Sequence, residues 1–170
     1  NNIYGLDIDD RAFQMAYFAV MMKARQYNRR ILNGEYMPNV YSIQESNGIN
    51  RKQLKYFGKG LNELEKNNAI NQIIGLLDTF IDAKEYGSIL NVDSCDWDLL
   101  MRFVENIDEP EQMDLELDGI EETWKRLIQI VCQSKLLGQK YSITVTNPPY
   151  MGLKKMTAKL TDYVIEQYPE

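Results

Sequence analysis

Residues 3–10 read IYGLDIDD, a short apolar run that ends in acids and leads directly into a long segment with helical spacing of apolar residues. A strand, an acidic turn and a helix in that order are typical of an α/β protein with a doubly wound sheet. In such folds an acid at the end of a strand can hold ribose hydroxyls, and Asp7 stands at that position. Asp9 or Asp10 is the predicted N-cap of the helix. Taken alone, Asp7 is more often a cap or turn residue than a ligand.

A second informative stretch is YSITVTNPPY, residues 141–150. The alternation around Ile143 and Val145 predicts a buried strand, and the two prolines after it must stop that strand at Asn147. The Asn147 side chain and the proline carbonyls offer acceptors that can converge on a planar amino group. Acceptors placed for the tetrahedral nitrogen of the transition state would accelerate attack by that group. The alternative interpretation is a rigid turn.

Taken together, residues 2–32 and 141–152 resemble the amino-group DNA methyltransferases, most closely the large adenine-specific PglX proteins of BREX phage-defence systems. The tetrapeptide Asn-Pro-Pro-Tyr is shared with enzymes that methylate cytosine amino groups, guanine in ribosomal RNA, and the glutamine amide of release factors. The tetrapeptide therefore indicates the type of acceptor atom, and its flanking sequence favours adenine in DNA.

The resemblance implies a Rossmann-like domain that uses S-adenosylmethionine and no metal, with a flipped adenine from double-stranded DNA as the acceptor. Asn147 and the Pro148 carbonyl would accept hydrogen bonds from the adenine amino group. Pro149 and Tyr150 would bind the base, with the Tyr150 ring stacked on it. Asp7 would hold the ribose of the cofactor.

A third family element, a strand end that flanks the adenine of the cofactor, falls at residues 40–46 and points to Glu45 as a cofactor-binding residue. Here the sequence departs from the family, which usually has an apolar residue after the acid, whereas Ser46 follows Glu45.

The family's glycine-rich cofactor loop precedes the segment that matches residues 3–7, and this chain begins at Asn1. We therefore expect a fragment of a larger methyltransferase that is inactive alone and binds S-adenosylmethionine poorly. Loss of the strand before that loop would expose two sheet edges. We expect the fragment to pair those edges with each other or with a second copy, as a homodimer.

The remaining sequence predicts a helix-dominated chain. The first helix should end at Asn33-Gly34 and be buried almost all round, because Met15, Phe18, Ala19 and Met22 lie opposite its main apolar face. A strand is expected near Val40. Further helices are predicted at Arg51–Lys66, Asn68–Lys84, Trp97–Val104, Ile120–Gly138 and Met156–Gln167, with a brief strand or connector at Gly87–Val92.

The predicted fold class is α/β, a partial Rossmann-like methyltransferase core of about three strands with a large helical insertion. Residues 1–49 would form a strand, helix and strand of that core, and residues 50–138 the insertion. Residues 139–170 would add the strand with the Asn-Pro-Pro-Tyr motif and a final helix. About a hundred residues separate the second and third strands, far more than a sheet crossover needs.

Composition narrows the functional classes. The chain has 170 residues, 44% of them apolar, so it can bury one core, and it has no apolar run long enough for a membrane span and no secretory signal. We expect a cytoplasmic protein. The absence of histidine argues against hydrolases and metalloenzymes, and the isolated Cys95 and Cys132 indicate neither a disulfide framework nor a metal cluster.

A net charge of −6 is unusual for a protein that binds DNA, but the excess of acids is confined to one stretch of the sequence. Residues 105–122 contain nine acids and no base, so the rest of the chain has sixteen acids against nineteen bases, a net charge of +3. This acidic stretch is best interpreted as a solvated loop that leads into a helix. The lysine and arginine side chains outside this acidic stretch lie on solvated helix faces or line a path for phosphates.

Two alternatives remain open from sequence. One is a methyltransferase that acts on RNA or on a protein glutamine, and the other is a non-catalytic helical interaction module in which residues 147–150 are only a turn.

Overall fold

The computed structural model describes residues 3–34, 37–107, 118–146 and 156–168, and the chain divides into two compact units, Asn1–Gln44 and Glu45–Glu170. Helices dominate the described residues, and the sheet they contain has two parallel strands. The predicted helix-dominated α/β class is confirmed at this level. Every described helix is too short or too polar to cross a lipid bilayer.

The first unit contains the predicted strand, helix and strand. Strand β1 (Tyr4–Asp7) pairs in parallel with β2 (Asn39–Ser42), and the register places Asp7 beside Ser42. Helix α1 (Asp10–Tyr27) connects them, because two parallel strands need a crossover rather than a hairpin. One further bond extends the pairing, from the Ile43 N–H to the Asp7 carbonyl at 2.8 Å.

Helix α1 is much more exposed than the sequence predicts. None of its residues is buried, and Met15 and Phe18 keep 75% and 65% of their surface exposed. The expectation of a helix buried almost all round is therefore wrong for this unit. Within residues 3–44, two short strands and one turn of 3-10 helix lie against α1, and a pair of strands covers one side of a helix only. Phe13, Tyr17, Val20 and Ala24 form the half-buried side.

Helix α1 also ends earlier than predicted. It stops at Tyr27, and a separate 3-10 helix follows at Arg29–Asn33. Asn28 separates the two with extended backbone, and its side chain accepts a hydrogen bond from the Arg30 N–H at 3.0 Å. A side chain that caps a new helix start breaks the old helix, so Gly34, with its φ of 84°, ends the 3-10 helix rather than α1.

The second unit is helical. Its α-helices are α2 (Glu63–Thr79), α3 (Ala83–Tyr86), α4 (Trp97–Glu105), α5 (Ile120–Gly138) and α6 (Ala158–Gln167). Short 3-10 helices lie at Arg51–Tyr56 and Gly87–Ile89. The predicted helices α4, α5 and α6 are confirmed to within a few residues at their ends.

The predicted boundary between the first two helices of this unit is wrong. Arg51–Lys66 is not one helix, because the 3-10 helix ends at Tyr56 and α2 begins after Asn62. Asn62 and Glu65 form a reciprocal capping box, with Asn62 accepting from the Glu65 N–H at 2.8 Å and Glu65 accepting from the Asn62 N–H at 3.2 Å. This pair of bonds satisfies backbone donors at the start of the helix, and α2 then continues without a break to Thr79.

Helices α2, α4 and α5 pack on a common core. Their apolar faces come together with the 3-10 helix at Arg51–Tyr56 and the residues just after it. The largest fully buried apolar side chains of the second unit are Phe57, Phe80, Phe103, Ile73, Leu77, Leu100, Leu127, Ile130 and Val104.

The turn at Phe57–Gly58 joins the start of this unit to α4. The Phe57 and Phe103 rings lie 6.0 Å apart, and the Gly58 N–H donates to the carbonyls of Phe103 and Asn106 at 2.9 and 2.8 Å. Gly58 has a φ of 80°, and a Cβ atom there would lie 2.7 Å from Cδ2 of Phe103. Both the backbone conformation and the available space therefore require glycine.

The predicted buried strand at residues 141–146 is wrong in this structure. These residues form no strand, and Ile143 and Val145 are 84% and 94% exposed. A strand needs a neighbour for its backbone hydrogen bonds, and no described strand pairs with this segment. The third core strand and the wider Rossmann-like sheet stay predictions, as does pairing of exposed edges with a second copy.

We expect Gly58→Ala to lower the free energy of unfolding by roughly 2–5 kcal/mol, the sum of left-handed backbone strain and overpacking against Phe103. Gly60→Ala is the matched control, since Gly60 has a φ of 82° but nothing lies within 4 Å of its Cβ position. It should lose only about 1–2 kcal/mol. Urea unfolding of both variants measures the difference, and equal losses would show that contact with Phe103 does not matter.

Candidate functional site

Asp7 lies where the sequence predicts, as the last residue of β1 and exposed to solvent. Its Oδ1 accepts a hydrogen bond from the Asp9 N–H at 2.9 Å, so the carboxylate also shapes the turn that leads into α1. An exposed carboxylate at the carboxyl end of a parallel strand lies at the edge where α/β sheets bind ligands. The turn role and a ligand role are compatible, because a carboxylate has several acceptor positions.

Asp9 is the N-cap of α1. Its Oδ1 accepts from the Arg11 and Ala12 N–H groups at 2.7 and 3.1 Å. These backbone hydrogen bonds, the one from Ala12 first and the one from Arg11 next, lower the pKa of the Asp9 carboxyl. The prediction that Asp9 or Asp10 caps the helix is confirmed for Asp9. The hydrogen bonds of Asp7 and Asp9 together hold the turn between β1 and α1.

Gln44 adds a polar group that the sequence analysis did not assign. Its Nε2 donates to Oγ of Ser42 at 2.7 Å and to Oδ1 of Asp10 at 3.3 Å. The ends of β1 and β2 and the start of α1 therefore form one polar cluster. The only sequence signal was position, since Gln44 follows a strand by two residues.

Glu45 belongs to the second unit and is half-buried. Its Oε1 accepts from the Lys84 N–H at 3.3 Å. The next residue, Ser46, is buried, and its N–H donates to the Phe80 carbonyl at 3.0 Å. The segment around Glu45 is therefore held by the chain that follows α2.

Asn147, Pro148, Pro149 and Tyr150 lie outside the described residues, so their predicted roles stay predictions. The chain is described up to Thr146 before them and again from Met156 after them. Before them, the Tyr141 hydroxyl donates to the Leu136 carbonyl at 2.7 Å. After them, Thr157 is the N-cap of α6, and its Oγ1 accepts from the Leu160 N–H at 3.2 Å.

Helix α6 is attached to the rest of the second unit through the carboxylate of Asp82, a residue that the sequence did not point to. Lys159 Nζ lies 2.6 Å from Oδ2 of Asp82. Hydrogen bonds from Lys159 and then Asn47 lower the pKa of the Asp82 carboxyl, and the bond to Asp82 raises the pKa of Lys159. No local pattern marks Asp82, because its partners Asn47 and Lys159 are 35 and 77 residues away in sequence.

The cysteines are poor nucleophiles in this fold. Both are free, and burial raises the pKa of the Cys95 and Cys132 thiols. A thiol with a raised pKa holds less of the reactive thiolate at neutral pH. Within the part of the chain that the structure describes, no three His, Cys, Asp or Glu side chains come together as metal ligands.

The ion pair of Asp82 and Lys159 should make the stability difference between the wild type and Lys159→Met depend on pH. The lowered pKa of Asp82 makes the contribution present above its ordinary value of 3.8 and lost as pH falls through the folded value. The raised pKa of Lys159 makes it fully present below 10.5 and lost above the folded value.

Thermal unfolding midpoints of both proteins across this range measure the difference. It should be flat between those limits, vanish at strongly acidic pH, and shrink in high salt because the pair is exposed. A difference that persists unchanged at pH 2 would contradict the assignment.

Comparison with known proteins places the chain in a family. Its residues 1–170 match the family model described as Eco57I restriction-modification methylase. It is 36% identical over 172 residues to the adenine-specific methyltransferase PglX of Lacticaseibacillus casei (strain Zhang), covering 99% of this chain and 14% of that protein. It is 33% identical over 189 residues to the adenine-specific methyltransferase BrxX of Escherichia coli O9:H4 (strain HS), covering 100% of this chain and 15% of that protein.

These relatives confirm the resemblance inferred from residues 2–32 and 141–152. The chain spans about one seventh of the length of either relative. Because the family model matches the chain from its first residue to its last, the chain belongs to the Eco57I restriction-modification methylase family.

Proposed function

We propose that this chain is part of a larger DNA methyltransferase that transfers a methyl group from S-adenosylmethionine to the exocyclic amino group of adenine, in restriction-modification or phage defence. The observation that carries the proposal is a strand that ends in an exposed acid, Asp7, in a chain matched throughout by a methylase family. Both curated relatives are named adenine-specific methyltransferases. The chain's own sheet then belongs to a Rossmann-like core, with the helical part of the second unit as its insertion.

Asp7 fits the ribose-binding role in its chemistry. It is ionisable, exposed, and placed at the carboxyl end of a parallel strand. Its backbone is anchored on both sides, by the bond from Ile43 and by the turn to Asp9, so the carboxylate would not have to be ordered when ribose binds. Pre-organisation of this kind favours binding. Glu45, with one oxygen on the Lys84 N–H, would lie beside the adenine of the cofactor.

The acceptor half of the site would be formed by Asn147 to Tyr150. Asn147 and the Pro148 carbonyl would accept the two hydrogens of the adenine amino group, while Pro149 and Tyr150 hold the base. S-adenosylmethionine would supply a methyl group on a sulfonium, whose sulfur leaves as a neutral thioether without help from an acid. The methylated amino nitrogen would then lose one proton to water or a nearby acceptor. The protein then has to align the amino nitrogen with that methyl carbon. Base flipping makes this possible, because it separates the adenine from the base with which it pairs in the duplex.

Asn147→Ala in the full-length protein tests the acceptor assignment. It should lower kcat for methylation of duplex DNA by roughly 100- to 1,000-fold, because one transition-state acceptor is lost, and leave the Kd for S-adenosylmethionine within about twofold. Radiolabelled methyl transfer followed by mass spectrometry of the nucleosides gives the rate and the methylated base. Label that appears in RNA or in protein, with none in DNA, would overturn adenine in DNA as the substrate, and an unchanged rate would overturn the role of Asn147.

Asp7→Asn tests the cofactor assignment. Asparagine keeps the acceptor for the Asp9 N–H but removes the charge, so the Kd for S-adenosylmethionine should rise about tenfold or more. Isothermal titration calorimetry of the full-length protein measures it. Asp9→Asn is the matched control, since asparagine caps helices as well as aspartate does and Asp9 has no proposed contact with the cofactor. Equal effects of the two substitutions would contradict a ribose-binding role for Asp7.

A further inference from the structure

The chain between α2 and α4 contacts the segment around Glu45 and described residues before and after the Asn147–Tyr150 motif. We call residues 80–92 the connector; it contains α3 and the 3-10 helix Gly87–Ile89. On one side it holds the segment with Glu45. The Ser46 N–H donates to the Phe80 carbonyl at 3.0 Å, and the Lys84 N–H donates to Oε1 of Glu45 at 3.3 Å. The proposed cofactor-side segment is thus bonded to the connector at two points.

The connector also holds the chain on each side of the Asn147–Tyr150 motif. Just before the motif, the Thr146 hydroxyl lies 3.2 Å from that of Ser88. After it, the Thr157 hydroxyl donates to Oε2 of Glu85 at 3.3 Å. The same short stretch of chain therefore contacts Thr146, the last described residue before the motif, and Thr157, close to the start of the described chain after it.

Further contacts fix α6, which follows the motif, on the connector. The Asn91 N–H donates to the Tyr163 hydroxyl at 2.7 Å, and the Tyr168 hydroxyl donates to the Ile89 carbonyl at 2.9 Å. The Tyr163 ring stacks on that of Tyr86 with centroids 4.4 Å apart. Leu160 is buried on the same side of the helix. Helix α6 is therefore held by several bonds of different kinds, so loss of one need not release it.

Asp82 is the residue of the connector that touches both sides. Its Oδ1 accepts from Nδ2 of Asn47 at 2.9 Å, and its N–H donates to Oδ1 of Asn47 at 3.0 Å. Its Oδ2 accepts from Lys159 at 2.6 Å. One carboxylate therefore joins the segment after Glu45 to the helix after the motif.

The backbone of Asp82 supports a special role. Its φ of 52° makes it the one non-glycine residue with positive φ in the described part of the chain. Left-handed backbone is unfavourable for a residue with a Cβ, although aspartate tolerates it better than most. The paired hydrogen bonds with Asn47 hold the conformation in place. A strained residue that the surrounding structure over-determines is a reason to look for function.

We propose that Asp82 is a positioning residue for methyl transfer, which sets the separation of the cofactor-side segment at Glu45–Asn47 from helix α6, the helix that follows the acceptor-side motif in the chain. The proposal rests on the function proposed above. Methyl transfer needs the amino nitrogen and the methyl carbon in line and in near contact, and a misplacement of about 1 Å costs roughly 100-fold in rate. Asp82 would act on the alignment without touching either substrate.

The test is Asp82→Gly in the full-length methyltransferase. Glycine accepts the left-handed backbone without strain, so the substitution removes the carboxylate while the connector keeps its path. We expect kcat for DNA methylation to fall about 10- to 100-fold. The Kd for S-adenosylmethionine should stay within about threefold, because Ser46 and Glu45 keep their own bonds to the connector. Asp82→Asn, which keeps the bonds with Asn47 and loses the charge that pairs with Lys159, should recover part of the rate.

Glu121→Ala is the matched control. It breaks the Glu121–Lys125 pair, which has the same 2.6 Å separation but lies on the exposed surface of α5, and it should keep the wild-type rate. A second readout needs no activity, because hydrogen exchange of peptides that span residues 143–157 should quicken in Asp82→Gly and not in Glu121→Ala.

The outcomes separate the two proposals. A wild-type protein that methylates no DNA overturns the proposed function. A wild-type protein that does so, with an Asp82→Gly variant of equal kcat, overturns the positioning role. A fall in kcat that comes with a large loss of thermal stability, and that Asp82→Asn does not relieve, would also overturn it, because Asp82 would then serve the fold alone.

Discussion

The helical unit depends on the close approach of Gly58 to Phe103. The chain enters this unit as a 3-10 helix and must turn into α2 while Phe57 stays in the core beside Phe103. A glycine in left-handed conformation makes that turn, and its N–H donates to the carbonyls of Phe103 and Asn106 in the last turn of α4 and just after it. Gly58 thus provides a donor for carbonyls at the end of a helix, which have no partner within the helix. Its position next to Phe57 also keeps the Phe57–Phe103 pair in the core. This anchor fixes the start of the unit on α4, which itself packs against α2 and α5.

The connector after α2 then links that packed core to the parts of the chain with proposed chemistry. It carries no motif, and most of its bonds are made by exposed or half-buried side chains. Single exposed bonds contribute little stability. Several bonds within the thirteen residues of the connector add little to the free energy of folding, but together they restrict the relative positions of the segments that they join. This is the kind of support that a methyl-transfer site needs, because alignment rather than acid or base chemistry sets the rate of reaction.

The sequence predictions succeeded where the information was local. The strand ending at Asp7, the Asp9 cap and the amphipathic helices α4 and α5 follow from patterns within a few residues. They failed where a partner was required. Residues 141–146 have a strand pattern, but a pattern does not supply the neighbouring strand whose backbone would pair with them. The Met15 and Phe18 side of α1 is apolar, yet burial depends on what packs against it, and within the first unit only one side of α1 is covered.

The amino acids alone determine the chemistry available to this protein: an acid at a strand end, an amide beside two prolines, and membership of a methylase family. Local preferences of the chain are enough for these, since caps, strand stops and motif residues act over two to four positions. The folded chain was needed to identify Asp82. Its left-handed backbone and its carboxylate are held by Asn47 and Lys159, which are far away in sequence. A hydrogen bond between distant residues exists only once the core has brought them together, and no periodicity along the chain encodes it.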